Sequence, residues 1–153
     1  MPFANSRTLE WLGTLGGSPA AAGGTPASRD DAVRAVVAKA RTLAVNGELD
    51  AAVTLMERTI DRASDAPMRL RAQIGLCQLL HASREGRVPA PFAQRIVEQI
   101  RHHDLDRWDP ALAVEGWVAA HSVLSQDDGH PAERDAALSA IAGLDAARAM
   151  ALL

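Results

Sequence analysis

The sequence has one cysteine, one lysine, no tyrosine and only five aromatic residues in 153 positions: Phe3, Trp11, Phe92, Trp108 and Trp117. Each shortage excludes something. A single thiol, Cys77, cannot form an internal disulfide or a multi-cysteine zinc site, and it fits a reducing compartment. So few aromatics require a core built from aliphatic side chains between closely packed elements. No apolar run approaches the roughly 20 residues that a membrane-spanning helix needs. Residues Met1 to Arg7 lack the basic segment and apolar stretch of an export signal. The 16 basic and 19 acidic side chains give a net charge of -3, which argues against a protein whose main task is gripping phosphate backbones. The expectation is a soluble, cytoplasmic protein with no nucleic-acid partner and no membrane insertion.

What the sequence does have is alanine. Its 31 Ala residues favour helix and leave few positions for β-branched strand runs. With 48% hydrophobic and 23% charged residues, the composition is that of a globular chain. Residues 13–28 break the pattern, with five Gly, two Pro, two Ser and no charge before the arginine that follows. Such a stretch buries too little apolar surface to offset its ordering entropy, and reads as a flexible linker. Ahead of it lies a short apolar arm, Leu9, Trp11, Leu12 and Leu15, too short to be stable as an isolated helix.

From residue 28 onward, helical periodicity takes over. Ser28 with Asp31 resembles a capping box, and Val33, Val36, Val37, Ala40, Leu43 and Ala44 share one face. Asn46-Gly47 ends that helix. A second follows at once with Leu49, Ala52, Val53, Met56 and Ile60 inward, so the two form an antiparallel hairpin. A third helix, from about Pro67 to Arg84, carries Leu70, Ile74, Cys77 and Leu80 on one face and Leu76 and Leu79 on another, which predicts the most enclosed position. A fourth begins near Pro89 or Pro91 with Phe92, Ile96, Val97 and Ile100 inward. Asp109-Pro110 opens a fifth, with Leu112, Ala113, Gly116, Trp117, Ala120, His121 and Leu124 in strict 3/4 spacing. A sixth runs from Pro131 to Leu144, with Leu138, Ile141 and Ala142 inward.

Hairpin glycines fall at Gly47, Gly86 and Gly129, spaced 39 and then 43 residues. The predicted fold is all-α: about three stacked antiparallel helix hairpins, five to six helices in a tetratricopeptide-like array, preceded by a flexible linker. Residues 1–28 form the arm and linker, and residues 29–153 the helical domain.

Candidate chemistry is sparse. His102-His103 with Asp104 and Asp106 is the densest group of metal-ligand types, but adjacent helical residues diverge by about 100° and the usual i, i+4 spacing is absent. Those histidines suit the end of a helix, where the dipole favours cations. His121 and Cys77 lie on apolar faces and read as core residues. Arg69, Arg71, Arg101 and Arg107 are scattered as on a solvated face. No catalytic residue, cofactor site or metal site is expected.

One stretch is more specific: Leu105-Asp106-Arg107-Trp108-Asp109-Pro110-Ala111-Leu112-Ala113. The pattern Leu-x-x-Trp-Asp/Glu-Pro-x-Leu-Ala resembles the C-terminal domain of the TssA family of type VI secretion components, also described as ImpA- or VasJ-related. The final Leu144-Asp145-Ala146 is similar to that family's Leu-Asp-Pro turn, with Ala146 where Pro is usual. The resemblance spans roughly Asp30 to Leu153. In physical terms the motif is a corner: Asp109 and Pro110 cap and start a helix, while Leu105 and Leu112 pack beneath a buried Trp108 indole. The resemblance implies a non-enzymatic structural protein of the bacterial cytoplasm, the ring-forming C-terminal domain of a longer chain. Its implied partners are further copies of itself and the baseplate, sheath and inner-tube proteins, with Trp11, Leu12, Leu15 and Leu152 as candidate subunit contacts. Readings from other classes are a monomeric helical-repeat adaptor, binding a partner peptide in a groove between the first and third helices, and a small enzyme using His121 or the His102-His103 pair.

Overall fold

The computed structural model describes residues 26–83, 87–126 and 128–153. The arm residues Trp11, Leu12 and Leu15, the linker up to residue 25, and the hairpin glycine Gly86 lie outside the described residues.

Eight helices and no strand make up the described chain: α1 (Pro26–Val45), α2 (Leu49–Asp61), α3 (Ala66–Ala82), α4 (Ala90–His102), α5 (Leu105–Trp108), α6 (Pro110–Leu124), α7 (Pro131–Leu144) and α8 (Ala146–Met150). The six long helices form three hairpins, α1–α2, α3–α4 and α6–α7. The leading helix of each hairpin packs on the next, α1 on α3 and α3 on α6. The trailing helices α2 and α4 also pack on the leading helix that follows. This is the stacking expected of a tetratricopeptide-like array.

Local sequence chemistry sets the boundaries. Gly47 takes φ +87° in the first hairpin turn, a conformation that costs glycine nothing. The Asp65 carboxylate accepts the Met68 N–H at 2.8 Å, capping α3. Helix α1 is described from Pro26 onward, so Ser28, which the sequence suggests as a cap, lies within the helix.

The core falls into two clusters that meet at α3. One joins α1 and α2 to the Ala72, Leu76 and Leu79 face of α3. The other joins the Leu70, Ile74 and Cys77 face to α4, α6, α7 and α8. Helix α3 is thus enclosed on two sides, as its double apolar face predicts. Close approach to the first hairpin depends on Gly75, where an added Cβ would lie 2.7 Å from the Val37 Cγ2 and 3.1 Å from the Met56 Cε. In α7 the inward set differs by one position: Ala142 is exposed and Ala137 is buried. Ile141 anchors the helix, and the inward stripe runs back through Ala137 at i−4.

Cys77 is 1% exposed, and burial pushes its thiol pKa up to about 12. The thiolate is the reactive form. The native protein is therefore expected to resist a thiol-specific disulfide reagent at neutral pH and to react fully once denatured; rapid labelling of the native protein would show that this face of α3 opens.

Candidate interaction surface

The motif of residues 105–113 builds a corner between the second and third hairpins. Asp104 turns the chain with φ +50°, and the single turn of α5 follows. Asp109 then caps α6, its Oδ1 accepting the Leu112 N–H at 3.1 Å, and Pro110 occupies the start of that helix. Leu105 and Leu112 are buried, at 6% and 2% exposure.

Trp108 is not beneath this corner. Its side chain is 77% exposed, contrary to the buried indole that the sequence predicts. The reason is that Trp117 already fills the space. Trp117 is 4% exposed; its indole N–H donates to Asp106 Oδ1 at 2.8 Å, and the Arg101 guanidinium lies 5.8 Å from the ring centre. One turn of helix has room for one inward side chain; Leu105 takes it, Asp106 serves Trp117, and Trp108 faces outward.

Arg71, read from the sequence as part of a solvated face, ties three helices together. Its guanidinium lies 2.7 Å from Asp30 Oδ1 of α1 and 3.5 Å from Asp109 Oδ2 at the head of α6. Partners so far apart in sequence leave no local pattern, so spacing could not reveal this link. Asp109 therefore serves both as a helix cap and as an anchor for α3.

At the other end of the last hairpin, the Leu144-Asp145-Ala146 turn forms without proline. Asp145 Oδ1 accepts the Arg148 N–H at 3.0 Å and opens α8. Leu152 packs half-buried against the core of its own chain. Met150 and Leu153 face outward, at 70% and 85% exposure. Large apolar side chains left in water at an element's end are candidates for contact with another molecule.

The remaining candidates are placed as follows. His102 and His103 are both exposed and pack edge to face, with ring centres 4.8 Å apart. Among the described residues, no three of His, Cys, Asp and Glu are placed to share a metal ion. No described helix is long and apolar enough to cross a membrane.

A comparison with protein families decides the affiliation. Residues 1–120 match the family described as type VI secretion, EvfE, EvfF, ImpA, BimE, VC_A0119, VasJ. The chain belongs to this ImpA/VasJ family. The match takes in the arm and linker as well as the 105–113 corner, and it ends before Leu144-Asp145-Ala146, whereas the resemblance read from sequence began near Asp30 and ran to Leu153. No curated protein and no solved structure gives a match.

His121 sits on the inner face of α6 at 9% exposure. Burial lowers its pKa from 6.5, the nearby Arg134 charge lowers it further, and Asp135 acts the other way. Below about pH 6.5 the unfolded chain takes up a proton that the folded chain resists, so this residue withdraws stability as pH falls and costs nothing above that range. The melting temperature is expected to drop between about pH 7.5 and 5.5, and less steeply in His121→Gln. Equal slopes in the two proteins would show that His121 is solvated in the fold.

Proposed function

We propose that this ImpA/VasJ-family chain is a structural assembly component of a type VI secretion apparatus, self-associating into a ring that supports baseplate, sheath and tube assembly in the bacterial cytoplasm. The observation that carries this reading is Trp108: a tryptophan of the family motif is held in water by a corner whose interior is already filled by Trp117. Exposed tryptophan is the side chain most often central to protein contacts. Residues 29–153 form the ring-building domain in this reading, and residues 1–28 are an arm and linker whose Trp11, Leu12 and Leu15 pack on a neighbour. Leu152, with the exposed Met150 and Leu153 beside it, supplies the second contact in this reading, at the end of the stack formed by α7 and α8. Two different patches on one subunit are what a closed head-to-tail ring needs.

The test separates assembly from folding. Trp108→Asp is expected to keep the helical content and melting profile of the dilute protein while reducing its associated mass in light scattering. Unchanged assembly in that variant removes Trp108 from the contact, and unchanged assembly after deletion of residues 1–28 removes the arm. A second reading, a monomeric helical-repeat adaptor, is favoured by one feature of its own: a groove of about 340 Å³ between α1, α3 and α6. A particle with the mass of a single chain at every concentration supports that reading instead.

A further inference from the structure

The geometry points to a docking groove for an acidic, amphipathic segment of a partner protein, running along the α1–α3 face of this chain. The face has two hollows, one of mixed character and one mainly apolar. One, of about 340 Å³, is floored by Val37, Ile74 and Leu112. The other, of about 730 Å³, is lined by Ala44, Leu79 and Ala82, with Val45 beside it. Arg41 and Gln78 border both hollows, and the Arg41 guanidinium donates to Gln78 Oε1 at 3.0 Å across the space between them. The result is one groove with a polar clasp at its middle. Val45 is 86% exposed at one end, an apolar wall with no cover among the described residues.

Charge selects the occupant. The whole chain carries -3, yet past Asp30 and Asp31 in α1, and throughout α3, every Asp, Glu, Lys or Arg side chain is a cation: Arg34, Lys39 and Arg41 on the one, Arg69 and Arg71 on the other. Arg71 is engaged by Asp30 and Asp109, and Glu115 is the acid facing it from α6. Arg34 and Arg41 remain as exposed cations on the groove rim, seven residues and two helical turns apart, or about 10 Å. A partner segment with two acids at that separation and apolar residues between them meets both arginines while filling the hollows. Residues 1–25 of this chain carry only Arg7 and Glu10, and so lack the net negative charge that the groove favours. The groove borders the 105–113 corner through Asp109, Ala111 and Leu112 but is not lined by Trp108, so variants at Arg34 and Arg41 test it apart from the ring contact at Trp108.

The experiment uses the full chain and two pools of 12-residue peptides, one built from Leu, Ala, Asp and Glu, the other with Lys and Arg replacing the acids. Retention on immobilised protein and anisotropy titrations of the retained peptides are read together with chain mass. The acidic pool is expected to be enriched, with binding weakened about tenfold or more in the double variant Arg34→Glu, Arg41→Glu and weakened also by raised salt. Glu115→Gln, on the facing wall, is expected to bind as tightly or more tightly. Equal retention of both pools, retention of neither, or full binding by the charge-reversed variant overturns the proposal. Competition by a peptide of residues 1–25 assigns the groove to the chain's own arm. Loss of associated mass in the double variant, with peptide binding intact, assigns it to a second copy. Either result also overturns the proposal.

Discussion

Trp117→Ala is expected to lower folding stability by about 3–5 kcal/mol, whereas Trp108→Ala changes it by no more than about 0.5 kcal/mol. The contrast follows from position. The Trp117 indole is 4% exposed and hydrogen-bonded to Asp106, so its loss opens a cavity under α5 and leaves the Asp106 carboxylate without its donor. Trp108 lies in water and loses little on truncation. Denaturant titrations on dilute protein, where association adds nothing to apparent stability, measure both numbers. A large loss for Trp108→Ala with a small one for Trp117→Ala would reverse the assignment of the two tryptophans and restore the buried corner read from sequence.

Met56→Ala should remove about 2–5 kcal/mol, and its effect should be local. Met56 is fully buried in the cluster that binds α1 and α2 to one face of α3, where it meets Gly75 at close range. The second cluster, on the other face of α3, does not contain it. Arrays stacked in one dimension lose stability unit by unit when a neighbouring interface is weakened. Hydrogen exchange is therefore expected to speed up across α1 and α2 while α6 and α7 keep their protection. Equal acceleration through all helices would show that the two clusters melt as one.

The helices were legible because their patterns are long and regular. The inward face of α6, from Leu112 through Trp117 to Leu124, is buried at each position its 3/4 spacing selects. The doubly apolar α3 is enclosed on both sides for the reason its sequence shows. Legibility failed where an outcome depended on competition between distant groups. Trp108 and Trp117 both suit the space under the corner, and Trp117 takes it, packed on the inner face of α6 and hydrogen-bonded to Asp106. Arg71 looks like a surface charge until Asp30 and Asp109 are brought to it from other helices. Ser28 has the chemistry of a cap, yet it lies within α1. Of the contact residues that the sequence suggests, Leu152 is half-buried against its own chain. Trp11, Leu12 and Leu15 lie outside the described residues.

Sedimentation velocity of the unmodified chain across a hundredfold range of concentration bears most directly on whether this helical stack exists to join others of its kind. Ring assembly through the exposed corner and the stack's two ends requires one large, discrete species, many times the mass of a single chain, that persists down the dilution series. One slow boundary with the mass of a lone, folded chain at every concentration would contradict it.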